Sequence, residues 1–344
     1  MTEINFAMTS PLTVKIVTPH RLTAADWTRW EQWQQQSPAL ASPYFRAEFT
    51  QAVSKVRDDV EVAVFERDGQ TVGFLPFQRG QLNIGKPVGG KLCDFHGCIA
   101  PAEFEFDPRQ FLASTRLASW DFEHVPAAQT SFVPFSVKRD QAPGLELKDG
   151  YQGWCELRRE QGSQVVSKTM QKVRKLAREQ GDLTLELQCT SEEVFETLLR
   201  WKSAQYITSG FSDVFAFAWT RKLIEDLRAP TSGEFGGYMS VLRAGQKVVA
   251  ICYSLRSRQV MHAWFTAYDQ ELAAYSPGLV MFLKMTEAWP SVGITRFELG
   301  KGDERFKWNL ATDSQELMEG SVSRPTFATW LRSSWRTTKA WVET

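Results

Sequence analysis

The alternation of hydrophobic and polar residues predicts the same order of elements in each half of the chain. The order is a hairpin of two strands, a third strand, a helix and a last strand. In the first half these elements are expected at residues 60–66, 71–77, 91–99, 107–117 and 120–125. In the second half they are expected at residues 238–243, 248–255, 259–268, 277–289 and 295–299. Because the two sets lie far apart in sequence, they predict two copies of one α/β domain and not a solenoid of short repeats.

Helical spacing of apolar residues predicts helices that accompany these strands. Trp27, Trp30 and Trp33 lie on one side of a helix over residues 23–36, which Thr23 is expected to cap. We interpret this side as a packing face, and an aromatic ligand platform is the alternative. Further helices are expected over residues 44–55, 166–178 and 191–207.

The helix over residues 166–178 is amphipathic and basic. Its apolar stripe consists of Val166, Met170, Val173 and Ala177. Its cationic side chains are Lys168, Lys172, Arg174, Lys175 and Arg178. A solvated surface accounts for such a face, and contacts of its lysines with a phosphate or another anionic substrate are the alternative. In the helix that follows, Trp201 with Lys202 beside it is placed at the border of a cleft.

Length and charge limit the classes of protein to which the chain can belong. With 344 residues, two domains are expected, and 43% hydrophobic and 23% charged residues predict packed cores. Forty basic residues balance forty acidic ones. This balance argues against a protein that coats nucleic acid or an anionic membrane, so any anion site must be local.

Targeting and cysteine signals are weak. No run approaches the roughly 18 consecutive apolar residues of a membrane span, and residues 1–17 lack the basic and apolar regions of a leader peptide. We therefore expect a cytoplasmic protein with no membrane span. The five cysteines form no CxxC pair, so reduced thiols are expected, with neither a disulfide framework nor a metal site.

Residues 275–308 carry the strongest functional signal. Ser276-Pro277-Gly278 begins a helix: Ser can cap it, Pro fits its first turn, and Gly lets a ligand approach the backbone. Free amides at such a start attract phosphate. Residues 300–307 hold two glycines and five charged residues, which is typical of a functional loop.

Several motifs together carry a resemblance to a known family. They are Ser42-Pro43-Tyr44-Phe45, Gly73-Phe74-Leu75-Pro76, the basic residues 168–178, Tyr275-Ser276-Pro277-Gly278 and residues 297–307. Over about residues 27–322 the chain resembles the CelD/BcsL-like acyltransferases of cellulose and exopolysaccharide biosynthesis. These are acetyltransferases of the GNAT superfamily, related to the FemAB peptidyltransferases.

The resemblance implies a fold and an acyl donor. The implied fold is a tandem pair of GNAT-like domains, each a mixed, mainly antiparallel sheet flanked by helices. We place the first domain at residues 12–150, a basic helical connector at 151–181, and the second domain, with the donor site, at 182–330. The implied donor is acetyl-CoA, with its pantetheine arm along residues 259–268. The residues expected to bind it are Tyr268, Ser276, Pro277 and Gly278.

Candidate catalytic residues follow from the chemistry of acyl transfer. A positioned base must remove the proton of the accepting amine or hydroxyl, and the candidates are Glu298, Asp303 and His262. Glu298 ranks first because it ends a strand beside a Gly-rich turn, and a solvent-facing structural residue is the alternative. Lys307 could bind an anionic group, and surface charge is the alternative.

The chain departs from the family pattern in two ways. Where GNAT enzymes have a Gly-rich loop, the chain has the single Gly278, and Glu298 and Phe306 stand where the family commonly has Asp and Tyr. The leading hypothesis is a cytoplasmic acyltransferase, acetyl-CoA dependent, that acts on an amine or hydroxyl of a sugar or polysaccharide precursor. The alternatives are a FemAB-like transferase that uses aminoacyl-tRNA and a non-catalytic accessory protein of a glycan synthase. Exopolysaccharide synthesis proteins are possible partners, and DNA is not expected.

Overall fold

Residues 11–228 and 233–324 are described by the computed structural model of the chain. In chain order the strands are β1 (Thr13–Val17), β2 (Val60–Arg67), β3 (Gln70–Arg79), β4 (Ile84–Lys86), β5 (Ser119–Pro126), β6 (Ser136–Glu146), β7 (Leu183–Glu186), β8 (Phe235–Ala244), β9 (Lys247–Ser257), β10 (Val260–Tyr268), β11 (Arg296–Glu298) and β12 (Asp313–Ser323). The α-helices are α1 (Ala24–Gln36), α2 (Ala47–Val56), α3 (Pro108–Thr115), α4 (Gly150–Glu160), α5 (Val165–Gln180), α6 (Glu192–Thr208), α7 (Ala218–Arg228), α8 (Pro277–Ala288) and α9 (Arg305–Leu310).

Backbone contacts divide these residues into two compact units. The described part of the first unit contains residues 11–40, 53–139 and 318–324, and that of the second contains residues 41–52 and 140–317. The chain thus crosses between the units at 40/41, 52/53, 139/140 and 317/318, and the segment predicted as a connector, residues 151–181, belongs to the second unit. Its Val173 and Leu176 are buried in that unit's core, because the apolar stripe of α5 packs on α8. Residue 330, the predicted end of the second domain, lies outside the described residues.

In the first unit, strands β1 to β5 pair in sequence order. Each pair is antiparallel except β4 and β5, which are parallel. Thr23 and Asp26 form a capping box at the start of α1, as the sequence predicts for Thr23. Trp30 is fully buried and stacks on Phe74 with ring centroids 5.2 Å apart, so the packing face of this helix is confirmed.

In the second unit, the strands lie in the order β6, β11, β10, β9, β8, β7. Strands β10 and β11 are parallel and every other neighbouring pair is antiparallel. The core beneath them includes Trp154, Met281, Trp289 and Phe297, all 1% exposed or less. This sheet positions the candidate site.

One topology occurs twice along the chain. A strand and two helices come first, then an antiparallel hairpin, a third strand, a helix and a last strand parallel to the third. The elements are β1, α1, α2, β2, β3, β4, α3 and β5 in one copy, and β7, α6, α7, β8, β9, β10, α8 and β11 in the other. The predicted fold class, a tandem of mixed, mostly antiparallel α/β domains, is confirmed.

Local corrections concern segments with irregular backbone. The strand predicted at residues 91–99 is wrong: Gly89 and Gly90 have positive φ, a 3₁₀ turn follows, and a single bridge joins Ile99 to Phe74. The third strand of that copy is the short β4 instead. In the loop predicted at residues 300–307, α9 begins at Arg305.

Several elements were not predicted at all. They are β1, β6, β7, β12, α4 and α7. Strand β6, for example, contains four charged residues together with Pro143 and Gly144, so its sequence lacks the alternation that marks a strand.

Candidate active site

Strands β10 and β11 separate in the middle of the second sheet. They pair only over three positions, ending at His262 and Glu298. Beyond that point β11 stops, whereas β10 continues along β9 to Tyr268 with a bulge between Ala263 and Phe265. The edge of β10 that faces away from β9 therefore loses its strand partner, and a groove opens there.

A cavity of about 470 Å³ occupies this groove, within the range for small-molecule sites. Its apolar lining consists of Ala263, Trp264, Ala273, Leu279, Phe282, Leu299 and Phe306. Its polar lining consists of Lys202, Gln205, Thr266, Tyr268, Ser276, Glu304 and Lys307, with the backbone of Gly278. The cavity thus brings together four residues that the sequence predicts: Tyr268, Ser276, Gly278 and Lys307.

The start of helix α8 forms one boundary of the cavity. Ser276 adopts a left-handed conformation (φ 50°, ψ 61°), and its side chain does not cap the helix, contrary to the sequence expectation. Instead its hydroxyl accepts a hydrogen bond from Lys172 of α5. The amides of Leu279 and Val280 both donate to the Ser276 carbonyl, while the amide of Gly278 has no acceptor within the helix. The helix start therefore presents an amide and a lysine together.

Gly278 leaves room at this helix start. A Cβ atom built on it would lie 3.7 Å from the ring of Tyr268, an ordinary van der Waals distance. Since its φ is not positive, neither backbone conformation nor a steric clash requires glycine there. What glycine provides is an uncovered backbone next to the cavity.

Glu298 and His262 form a buried polar cluster at the point of strand separation. Ser42 Oγ donates a 2.8 Å hydrogen bond to Glu298 Oε2, and His262 Nδ1 lies 3.2 Å from the same oxygen. Glu298 is 4% exposed and His262 fully buried, so the solvent-facing alternative for Glu298 is wrong. Each is followed in sequence by a residue that lines the cavity, Leu299 and Ala263. The cluster therefore lies immediately behind the cavity wall.

Lys202 of α6 supplies the most perturbed titratable group of the cavity. Its ammonium donates to Gln205 Oε1 at 3.0 Å and to the Thr266 carbonyl at 3.3 Å. Burial lowers the pKa of Lys202; the Lys307 charge acts in the same direction, while Cys252 and Glu304 partly oppose it. Such a lysine can give up its proton more readily than a solvated one. The neighbouring Trp201, predicted at this place, is half-buried and is not among the residues that line the cavity.

The remaining predicted residues lie elsewhere. Asp303 is exposed and outside the cavity lining. The ammonium of Lys175 lies over the ring of Tyr275, 5.3 Å from its centroid. Lys168 and Lys172 line a second cavity beside α8. Lys307 donates to the Lys301 carbonyl and pairs with Glu304 at 3.2 Å.

All five cysteines are free thiols. Across residues 11–228 and 233–324 no group of three or more His, Cys, Asp or Glu side chains is arranged to hold a metal ion. None of the helices in these ranges combines the length and hydrophobicity needed to cross a membrane.

Part of the second unit matches a known domain family in sequence. Residues 164–308 match the acetyltransferase (GNAT) domain family. This segment is a GNAT acetyltransferase domain. The chain therefore contains a GNAT acetyltransferase domain, which supports an acyltransferase activity. The matched residues begin inside the predicted connector and end in α9, so they include both sides of the groove.

Solved structures agree with the fold. FemX is 10% identical, with a TM-score of 0.56 over 89% of this chain and 96% of that one. L-PGS from Bacillus licheniformis is also 10% identical, with a TM-score of 0.55 over 90% and 96%. A tandem GNAT protein from the clavulanic acid biosynthesis pathway is 9% identical, with a TM-score of 0.50 over 92% and 100%. At these identities the similarity concerns the fold alone, and no curated protein matches the sequence.

Proposed function

We propose that the GNAT domain transfers an acyl group from acetyl-CoA to an amine or hydroxyl of a sugar or polysaccharide precursor. One observation carries the proposal. The cavity where β10 and β11 separate is bounded on one side by Leu299 and Ala263, which follow Glu298 and His262 in sequence. On another side it is bounded by the start of α8, where Lys172 bonds to Ser276 beside the Gly278 amide. A CoA thioester has matching chemistry, because an acyl group and a diphosphate lie at the two ends of one chain.

The residues of the groove fit such a donor. A diphosphate is stabilised by the positive end of the dipole of α8 and by the Lys172 charge. The apolar side chains Leu279, Phe282 and Phe306 suit the uncharged arm between the phosphates and the thioester. When bound, the thioester supplies an acyl carbon that an amine or hydroxyl can attack.

We propose two candidates for the group that takes up the acceptor's proton. In the reaction, the acceptor's nitrogen or oxygen bonds to the acyl carbon, the carbon–sulfur bond breaks, and the acceptor's proton passes to a base. We propose Glu298 as this base, held in orientation by Ser42 and His262. Lys202 is the second candidate, because it lines the cavity and burial favours its neutral form. Asp303, which is exposed, is not placed for this role.

The acceptor is proposed from two arguments. Gln205, Glu304 and Lys307 give the cavity hydrogen-bond donors and acceptors that suit a hydroxyl-rich molecule. The motifs shared with the CelD/BcsL-like acyltransferases suggest that this molecule belongs to cellulose or exopolysaccharide synthesis. Proteins of that synthesis are the corresponding candidate partners.

Two alternatives remain specific enough to test. A FemAB-like transferase would take its acyl group from aminoacyl-tRNA, and the basic face of α5 supports that reading. A non-catalytic accessory protein is suggested by Glu298 and Phe306 at positions where the family commonly has Asp and Tyr.

Calorimetric titration with acetyl-CoA, followed by thioester turnover on amino sugars and nucleotide sugars, separates these readings. We expect binding of acetyl-CoA and turnover with at least one sugar. Absence of acetyl-CoA binding contradicts the proposal and favours the tRNA donor, which an aminoacyl-tRNA titration then tests. Binding without turnover on any acceptor favours the accessory role.

A further inference from the structure

A second cavity, of about 490 Å³, reaches the first turn of α8 at Leu279. It is bounded by the turn between α4 and α5, the first two turns of α5, and α9. Leu279 lines both cavities, and Lys172 lines this one while bonding to Ser276 at the edge of the first. The second cavity therefore adjoins the donor groove and shares Lys172 with the proposed diphosphate site.

The lining of this cavity carries positive charge only. Arg158, Lys168, Lys172 and Arg305 contribute four cations, and no Asp or Glu is among the lining residues. In a chain whose total charge is balanced, such a local excess creates an attractive potential for anions. The cavity thus favours a negatively charged ligand.

Arg158 is the buried part of this charge. It is 9% exposed, and its guanidinium donates to the Asn309 and Trp308 carbonyls and to the side-chain oxygen of Gln161. All three acceptors are neutral, and within the described residues no carboxylate pairs with Arg158. Burial lowers the pKa of Arg158, with no neighbouring charge to oppose the effect. A buried cation that lacks a carboxylate partner favours a bound anion.

Thr169 adds a hydrogen-bonding group without a partner. It is fully buried, it lines the cavity, and its hydroxyl has no hydrogen-bond partner among the described residues. Buried hydroxyls in folded proteins normally have a partner. The cavity also lies at the first turn of α5, a 16-residue helix whose N-cap, Gln164, makes no side-chain cap.

We propose that this cavity binds a phosphate group, held by Arg158, Thr169, Lys168 and Arg305. Four cations with a hydroxyl and a helix start suit a dianion with three terminal oxygens better than a carboxylate. The phosphate belongs either to the nucleotide end of the donor or to a separate phosphorylated molecule. The site goes beyond the proposed acyl transfer, because its ligand can be tested in the absence of any acyl donor.

Calorimetric titration of the full chain with inorganic phosphate tests the site directly. The variant K168Q/R305Q removes two exposed cations, and T169V removes the hydroxyl at constant volume. We expect each to weaken phosphate binding about tenfold or more, as the loss of a charge-assisted bond implies. The matched control is R174Q, an exposed cation of α5 outside the cavity lining, which should bind phosphate like the unmodified chain. Equal phosphate binding by all four proteins overturns the proposal.

A comparison of CoA with dephospho-CoA identifies the source of the phosphate. If CoA binds more tightly and K168Q/R305Q removes the difference, the site holds the donor's 3′-phosphate. If the two bind equally and phosphate still binds the CoA-saturated chain, the ligand is a separate molecule. If neither CoA compound binds while phosphate binding still depends on Lys168 and Arg305, the proposed acyl-CoA function fails and the phosphate site stands.

Discussion

Lys172 donates a hydrogen bond to the hydroxyl of Ser276, which joins the middle of α5 to the first residue before α8. Ser276 is one of six described non-glycine residues with positive φ, and this conformation turns the chain into the helix. The full charge of the lysine therefore lies near the partial positive charge at the start of α8. An anion bound there would stabilise both.

Replacing Lys172 by Met should weaken acetyl-CoA binding about tenfold, because one charge-assisted bond to the donor's phosphate is lost. The matched change K175M, on the same helix, should alter the dissociation constant less than twofold, since the Lys175 ammonium lies over the Tyr275 ring. Calorimetric titration of both variants measures the difference. Equal losses in the two variants would show that α5 acts only through its general charge.

Gly278→Ala should separate stability from binding. The added methyl group meets the Tyr268 ring at 3.7 Å, so the fold should accept it, and alanine's helix propensity should leave the melting temperature unchanged or slightly raised. Acetyl-CoA binding should still fall, because the methyl group covers the backbone that the donor approaches. A variant that binds acetyl-CoA normally would remove Gly278 from the donor site.

Glu298→Gln should lower turnover by about a hundredfold or more while the dissociation constant of acetyl-CoA stays within twofold. Glutamine keeps the size of the side chain and can still accept the Ser42 hydrogen bond, but it cannot take up a proton. The control E160Q changes an exposed carboxylate of α4. Steady-state kinetics with the active acceptor measures the effect, and unchanged turnover would assign Glu298 to structure.

The buried position of Lys202 predicts a pH dependence of stability. Burial lowers its pKa in the folded chain, so between that lowered pKa and the unfolded value of about 10.4 only the unfolded chain holds the proton. In this pH interval the free energy of unfolding should therefore increase as the pH rises.

The variant K202M should lose this gain and should be more stable than the unmodified chain at neutral pH. Urea unfolding at neutral pH and near pH 10 measures both effects. The control K222M, at an exposed lysine of α7, should keep the gain. The same gain in K202M as in the unmodified chain would show that another group causes it.

One molecule of acetyl-CoA should bind per chain, although the topology occurs twice. In the first copy, the helix that corresponds to α8 is α3, and the Asp107 carboxylate there accepts a hydrogen bond from the Arg109 amide. A carboxylate at the helix start both occupies the amide and repels a phosphate. Calorimetry should therefore fit a single site, and a second event of similar affinity would contradict this account.

The sequence predicted those parts of the site that depend on local signals. The composition of Ser276-Pro277-Gly278 predicts a helix start. The alternation of apolar and polar residues predicts the strand that ends at Glu298. Strand β6, which pairs with β11 on the opposite side from β10, was missed because its own residues are largely polar.

Long-range packing set the remaining features of the site. The altered pKa of Lys202 comes from burial against β10, and the cations of the second cavity come from three separate helices. A short segment of sequence shows neither the burial of a side chain nor the grouping of residues from separate helices. The same holds for Ser42, whose helix-start motif gives no hint that its hydroxyl meets Glu298.

Residues 41–52 are synthesised well before the other residues of the second unit. Ser42 leaves the ribosome 256 residues before Glu298, which at about 5–20 residues per second is an interval of roughly 10 to 50 s. During that interval the nascent chain contains the donor, Ser42, but not yet the acceptor, Glu298. A gene fragment beginning at residue 140 would never make the bond at all, and its Glu298 would be buried without this donor. Residues 41–52 thus belong to the second unit, although they are synthesised long before the rest of it.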